Sequence, residues 1–220
     1  MNYCVIFTLL SFFTYFANAQ EFNCGDKLTD QRDGQVYATV KIGDQCWMAE
    51  NLNFGKVVAD NSQTDNGEIE KTCYDNEVSN CKQLGGLYTW HEAVQYEVNN
   101  QVDVCPSGWH LPDRSEWEKL ISHLGEKTSG TQLKASTTDE PSWDGTNTTG
   151  FDAIPAGNGY QGNFGRKGHH AYFWTSTEKN DHFAWFTHLD GHWDLYKYTN
   201  LYLGDIYLKE NAFSVRCIKD

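Results

Sequence analysis

The sequence predicts an α+β fold of small antiparallel sheets with two short helices, stapled by disulfides. Three observations carry this. Apolar and polar residues alternate with period two near residue 40 and again through the last fifty residues. Two segments carry helix-capping signals. Six cysteines follow an apolar N-terminal leader.

The leader comes first in the chain. Val5 to Phe16 is apolar and ends in Ala17-Asn18-Ala19, a small-x-small cleavage signature. Residues 1–19 are therefore read as a signal peptide, and residues 20–220 as one exported domain with no membrane insertion after cleavage. The alternative is a buried N-terminal strand or a retained anchor. Outside the leader lie Cys24, Cys46, Cys73, Cys81, Cys105 and Cys217, an even set that reads as a disulfide framework. Their pairing stays open at this level, because six cysteines allow many connectivities. Zinc is the weaker reading, since no paired-cysteine or Cys/His spacing is present.

Residues 30–52 predict a β-hairpin. Val36, Ala38, Val40 and Ile42 alternate with Tyr37, Thr39 and Lys41, Gly43-Asp44 makes the turn, and Cys46-Trp47-Met48 returns. Residues 55–72 read as a loop, and the stretch between Cys73 and Cys81 as turn-rich. Thr89 with Glu92 predicts a capping box opening a short helix. The strongest helix is 113–124. Asp113 and Glu116 form a second capping box, Trp117, Leu120, Ile121 and Leu124 share one face, and Gly125 stops it. Residues 129–168 are rich in Gly, Ser and Thr, with a brief helical signal at Leu133. Strands then follow at Ala171–Ser176, Phe183–Leu189, Trp193–Tyr198, Leu201–Leu208 and Ala212–Ile218.

Several ordered motifs resemble a known family. They are Gly34-Gln35-Val36-Tyr37 with Trp47-Met48-Ala49-Glu50-Asn51-Leu52, Gly86-Leu87-Tyr88-Thr89-Trp90, and Cys105-Pro106-Ser107-Gly108-Trp109-His110-Leu111-Pro112 with Glu116-Trp117. Gly150-Phe151, Ile154-Pro155-Ala156-Gly157, Phe173-Trp174-Thr175-Ser176 and Phe213-Ser214-Val215-Arg216-Cys217 complete the set. Over about residues 28–220 the chain resembles the Fibrobacter succinogenes major paralogous domain, whose members are exported or surface-associated bacterial proteins. The Trp-His-Leu-Pro and Val-Arg-Cys elements are also similar to the formylglycine-generating-enzyme branch of C-type-lectin folds. The resemblance implies a C-type-lectin-like architecture. The resemblance also points to the disulfide Cys105–Cys217, with Cys73–Cys81 as the local pair, and leaves Cys46, where the family usually has Thr, with Cys24, which lies before the family block.

Charge and side-chain chemistry narrow the function. A formal net charge of -13 disfavours nucleic acid and anionic membranes. No serine sits in a nucleophile elbow. With Cys4 in the leader, the six remaining cysteines leave no evident free thiol for a formylglycine-generating-like oxidoreductase. His169, His170, His182, His188 and His192 cluster late, without metal-ligand spacing. Asp139, Glu140, Asp144 and Asn147 offer hard oxygens that would suit calcium, and no other cofactor is expected. Aromatics between 169 and 200 suit sugar stacking or protein contact, and the ligand-binding candidates are Tyr172, His188, His192, Trp193, Tyr196 and Tyr198. Trp47, Trp90, Trp109, Trp117, Trp174 and Trp185 are expected in the core. The expected function is an extracellular recognition or adhesion module for a glycan or protein, with no catalytic residues. A structural surface component is the alternative.

Overall fold

The computed structural model describes residues 22–97, 102–191 and 202–220, so residues 1–19, expected to form a leader, and His192, Trp193, Tyr196 and Tyr198 lie outside the described residues. The chain is α+β, with small, largely antiparallel sheets and few helices. In order, the elements begin with β1 (Leu28–Thr29), β2 (Val36–Tyr37), β3 (Thr39–Ile42) and β4 (Gln45–Met48). β5 (Lys56–Val57), β6 (Glu70–Lys71), α1 (Val78–Leu84), β7 (Tyr88–Thr89) and α2 (Trp90–Ala93) follow. Next are β8 (Trp109–His110), α3 (Arg114–Leu124), α4 (Ser129–Leu133), β9 (Asn158–Tyr160) and β10 (Asn163–Gly165). β11 (His170–Glu178), β12 (Phe183–Asp190), β13 (Tyr202–Leu208), β14 (Ala212–Phe213) and β15 (Ile218–Lys219) complete the described elements.

The hairpin forms at β3 and β4, with Ile42 opposite Gln45 and Gly43 at φ 60 in the two-residue turn. Its single apolar face does not extend upstream. Val36 and Ala38 are exposed, whereas Tyr37 and Thr39 are buried. The strand breaks at Ala38, whose N–H is taken by Glu50 Oε2 at 2.8 Å. β2 pairs with β1 instead, so the inward set changes parity. The 55–72 loop contains the parallel pair β5–β6. The Cys73–Cys81 stretch is not all turn either. α1 starts inside it, tied by the disulfide and by burial of Cys81 and Leu84. Among the described residues four α-helices therefore stand where two were expected, α4 falling at the brief helical signal of Leu133.

The capping signals fare differently. α3 has the full box: Asp113 Oδ1 accepts from Glu116 N–H at 2.9 Å, and Glu116 Oε2 accepts from Asp113 N–H at 2.8 Å. At α2 only half forms. Thr89 Oγ1 accepts from Glu92 N–H, but the Glu92 carboxylate turns away to accept from Glu70 N–H at 2.8 Å.

Two cores result. One gathers Trp47, Trp117, Phe151 and Phe173, with Trp47 and Trp117 rings 4.7 Å apart. The other gathers Leu52, Trp90, Trp109, Trp174 and Phe213, with Trp174 and Phe213 rings 4.4 Å apart. β11 forms the wall between them, because its alternate residues Phe173 and Trp174 enter opposite cores. In the second core two indole N–H groups are satisfied by main-chain carbonyls: Trp174 Nε1 donates to Tyr88 O at 2.8 Å and Trp90 Nε1 to Thr175 O at 2.9 Å. Trp185 is not core. It stands half-buried on the outer face under Arg114, whose guanidinium is 4.1 Å from the ring, and Lys179 at 5.2 Å.

The expected final strand 212–218 is split, and its halves seal two sheets. β14 lies between β9 and β7 in the order β10-β9-β14-β7, and β15 lies between β4 and β8 in the order β3-β4-β15-β8. Between them sits Arg216, fully buried. Its Nε donates to Asn51 Oδ1 at 2.7 Å, Nη1 to Met48 O at 3.3 Å and to Phe151 O, and Nη2 to Asp152 O at 2.8 Å. The guanidinium lies 4.6 Å from the Phe151 ring centre. This one side chain ties together three segments distant in sequence, at Met48 and Asn51, at Phe151 and Asp152, and at Arg216 itself. The disulfides are Cys24–Cys46, Cys73–Cys81 and Cys105–Cys217, the last spanning 112 residues.

His110 adds an ionic clasp. Its Nε2 lies 2.9 Å from Glu116 Oε1 and its Nδ1 lies 2.6 Å from Asp220 Oδ1, joining β8, α3 and the residue after β15. The Glu116 hydrogen bond, opposed by burial and assisted by Asp220, raises its pKa to about 9. A raised folded-state pKa stabilises fully below the unfolded value and is lost as pH climbs through the folded one. Urea midpoints are therefore expected to fall between about pH 6.5 and 9, and to fall less in His110→Gln. Equal slopes for both proteins would remove this role.

Candidate recognition face

The three-stranded sheet β11-β12-β13 places the candidate site. Its long strands have room for a ladder of side chains with period two. Register puts His170 opposite Asp190, Tyr172 opposite His188, and Trp174 opposite Phe186. All six therefore point to one face, joined by Tyr207, which pairs with Ala184. Phe213 of β14 supplies a floor under this face, stacked on Tyr172 at 5.0 Å and near Phe186 at 5.3 Å.

The face grades from apolar to polar. At its closed end Trp174, Phe186 and Phe213 are buried. In the middle Tyr172 is half-buried and stacks between His170 at 5.6 Å and His188 at 5.8 Å. At the open end Asp190 Oδ1 lies 2.6 Å from His170 Nδ1 and 3.5 Å from His188 Nε2. Tyr207 closes one side, 42% exposed, its ring 5.5 Å from Phe186.

Electrostatics follow from this packing. Burial works to raise the Asp190 carboxyl, but hydrogen bonds and charge from His170 and His188 outweigh it and hold the group well below the usual carboxylate range. Asp190 thus stays an acceptor through the physiological range. Burial pushes the Tyr172 phenol up to about 12, so it stays a neutral O–H. The Asp190 main-chain carbonyl is fixed separately by Lys134 Nζ at 3.0 Å. The result is an aromatic ledge with a fixed anionic acceptor at its rim, an arrangement that can stack on a flat apolar surface and accept from hydroxyl or N–H groups beside it.

Residues 40–219 match the family described as the Fibrobacter succinogenes major domain. The chain belongs to this family. The matched span is narrower at its N-terminal end than the 28–220 covered by the motifs, and leaves β1 and Cys24 outside. No curated protein and no solved structure matches the chain.

Within this Fibrobacter succinogenes major domain, Tyr172 and His188 of the sequence candidates are brought together. His170, Asp190, Tyr207 and Phe213 are additions. The signal that finds them is the alternation His170, Tyr172, Trp174 against Phe186, His188, Asp190, once the two segments are paired antiparallel. Asp190-Gly191 reads as a turn in sequence, which hides the carboxylate. His169 backs the same rim, where its main-chain carbonyl accepts from Gly191 N–H at 2.6 Å. His182 belongs to the β11–β12 turn instead.

The oxygen-rich loop is used internally. Asp139 Oδ2 accepts from Ser136 N–H at 2.6 Å and from Asn147 Nδ2 at 3.1 Å, and Asp144 pairs with Lys134 at 2.7 Å. Asn147 also reaches Asp152, while Glu140 stands before the cis Pro141 and lines a polar cleft of about 270 Å³ with Glu50 and Asp152. Among the described residues no three His, Cys, Asp or Glu are grouped to hold a metal ion.

Proposed function

We propose that this domain is an exported, non-catalytic recognition module of C-type-lectin-like arrangement, which binds a glycan through the ledge formed by His170, Tyr172, His188, Asp190 and Tyr207. The observation that carries the reading is the Tyr172 stack, open at one end onto the Asp190 carboxylate. Sugar rings present apolar C–H faces edged by hydroxyls, and that pairing of surfaces is what the ledge matches. Three disulfides favour an oxidising compartment outside the cytoplasm. Among the described residues every cysteine is paired and no helix is long and apolar enough to cross a membrane. The first of these supports a role without thiol chemistry.

A glycan array on the exported chain, run with calcium and with chelator, tests the proposal. Saturable binding is expected in both conditions. Asp190→Asn and Tyr207→Ala should each weaken it roughly tenfold, the scale of one charged hydrogen bond or one aromatic contact. Absence of binding by folded, monodisperse protein would sink the glycan reading and move the weight to a protein ligand or a structural surface role. Loss in chelator alone would bring calcium back.

A further inference from the structure

We propose that Lys71 and Asn53 become joined by an isopeptide bond between Lys71 Nζ and Asn53 Cγ. Lys71, on β6, is only 8% exposed. Buried lysines are ordinarily matched by a carboxylate, and two others here obey that rule: Lys134 pairs with Asp144, and Lys209 with Glu178. Among the described residues Lys71 has no carboxylate within ion-pair distance. Its Nζ instead meets the Asn53 carboxamide, donating to Oδ1 at 2.8 Å, and the Asn53 main-chain carbonyl. The reacting carbon is one covalent bond from that oxygen.

Both partners are held in place. Asn53 N–H donates to Tyr37 Oη at 3.0 Å, and the next carbonyl, Phe54 O, accepts from Tyr88 Oη at 2.7 Å. The Lys71 stem passes Gly86 so closely that a Cβ there would come within 3.0 Å of Lys71 Cδ. Fixing amine and amide together replaces a bimolecular encounter with a positioned one. Burial also lowers the Lys71 pKa, while the charge of Asp33 opposes it, so the neutral, nucleophilic amine is more accessible than in water. In the step, the Nζ lone pair forms the bond to Cγ, the Cγ–Nδ2 bond breaks, and Nδ2 leaves with one Nζ proton as ammonia. No oxidant or cofactor is required. The bond would tie β6 covalently to the segment that follows β4.

Intact mass and tandem mass spectrometry of the folded wild-type chain, reduced after incubation at neutral pH, decide the matter. The expected result is a deficit of about 17 Da, one ammonia, together with a branched tryptic peptide linking residue 53 to residue 71. The deficit should be absent in Asn53→Ala and in Lys71→Arg. A wild-type mass that matches the sequence from its measured N-terminus, with tryptic cleavage after Lys71, overturns the proposal whether or not either variant folds.

Discussion

Replacing Cys105 and Cys217 together by alanine is expected to lower stability by roughly 5 kcal/mol, the largest effect of any disulfide in the molecule. The bridge closes a loop of 112 residues, and the entropy removed from the unfolded chain grows with the logarithm of that number. By the same reasoning Cys24–Cys46, separated by 22 residues, is worth about 3 kcal/mol. Cys73–Cys81, separated by 8, is worth about 2–3 kcal/mol. Denaturant midpoints of the three double variants should fall in that order. Both sulfurs of the long bridge sit in the second core beside Trp109 and Val215, so alanine also leaves unfilled space there. A Cys105/Cys217 variant no weaker than the Cys73/Cys81 one would show that loop closure does not dominate this fold.

Arg216→Met is expected to cost at least about 3 kcal/mol. Methionine keeps much of the volume and its packing against Phe151, so the loss isolates the polar part. Four acceptors would be stranded in the interior: Asn51 Oδ1 and the carbonyls of Met48, Phe151 and Asp152. Each buried acceptor left without a donor costs about 1 kcal/mol or more. Burial disfavours the charged guanidinium, while the charges of Asp152 and Glu50 favour it, so the residue is retained for its geometry rather than for a strong ion pair. Equilibrium urea unfolding measures the change. A variant within about 0.5 kcal/mol of wild type would mean that water or a shifted backbone replaces the lost donors.

What could be read from the sequence was whatever a few neighbouring residues encode. The α3 box closes between Asp113 and Glu116, and the β3–β4 turn between Ile42 and Gln45, so local chemistry suffices for both. The break at Ala38 was hidden because it depends on Glu50 and on the pairing of β1 with β2. α1 was hidden because Ser79 and Asn80 favour turns, and only its contacts with the rest of the fold override them. The split of β14 from β15 depends on four partner strands distant in sequence. The candidate site shows the same division. Tyr172 and His188 are visible as polar aromatics in a strand pattern, but Asp190 joins them only through the β11–β12 register. Trp185 was misplaced for a related reason, since which face of β12 points outward is fixed by neighbours rather than by alternation.

The interior position of β14 and β15 has a consequence for how the protein is made. Neither of the four-stranded sheets can close until residues 212–219 have emerged, because those residues are middle strands and not edges. A nascent chain therefore remains without both central seams until that segment is available. It stays pliable until then, and locks only once Cys217 can be oxidised against Cys105.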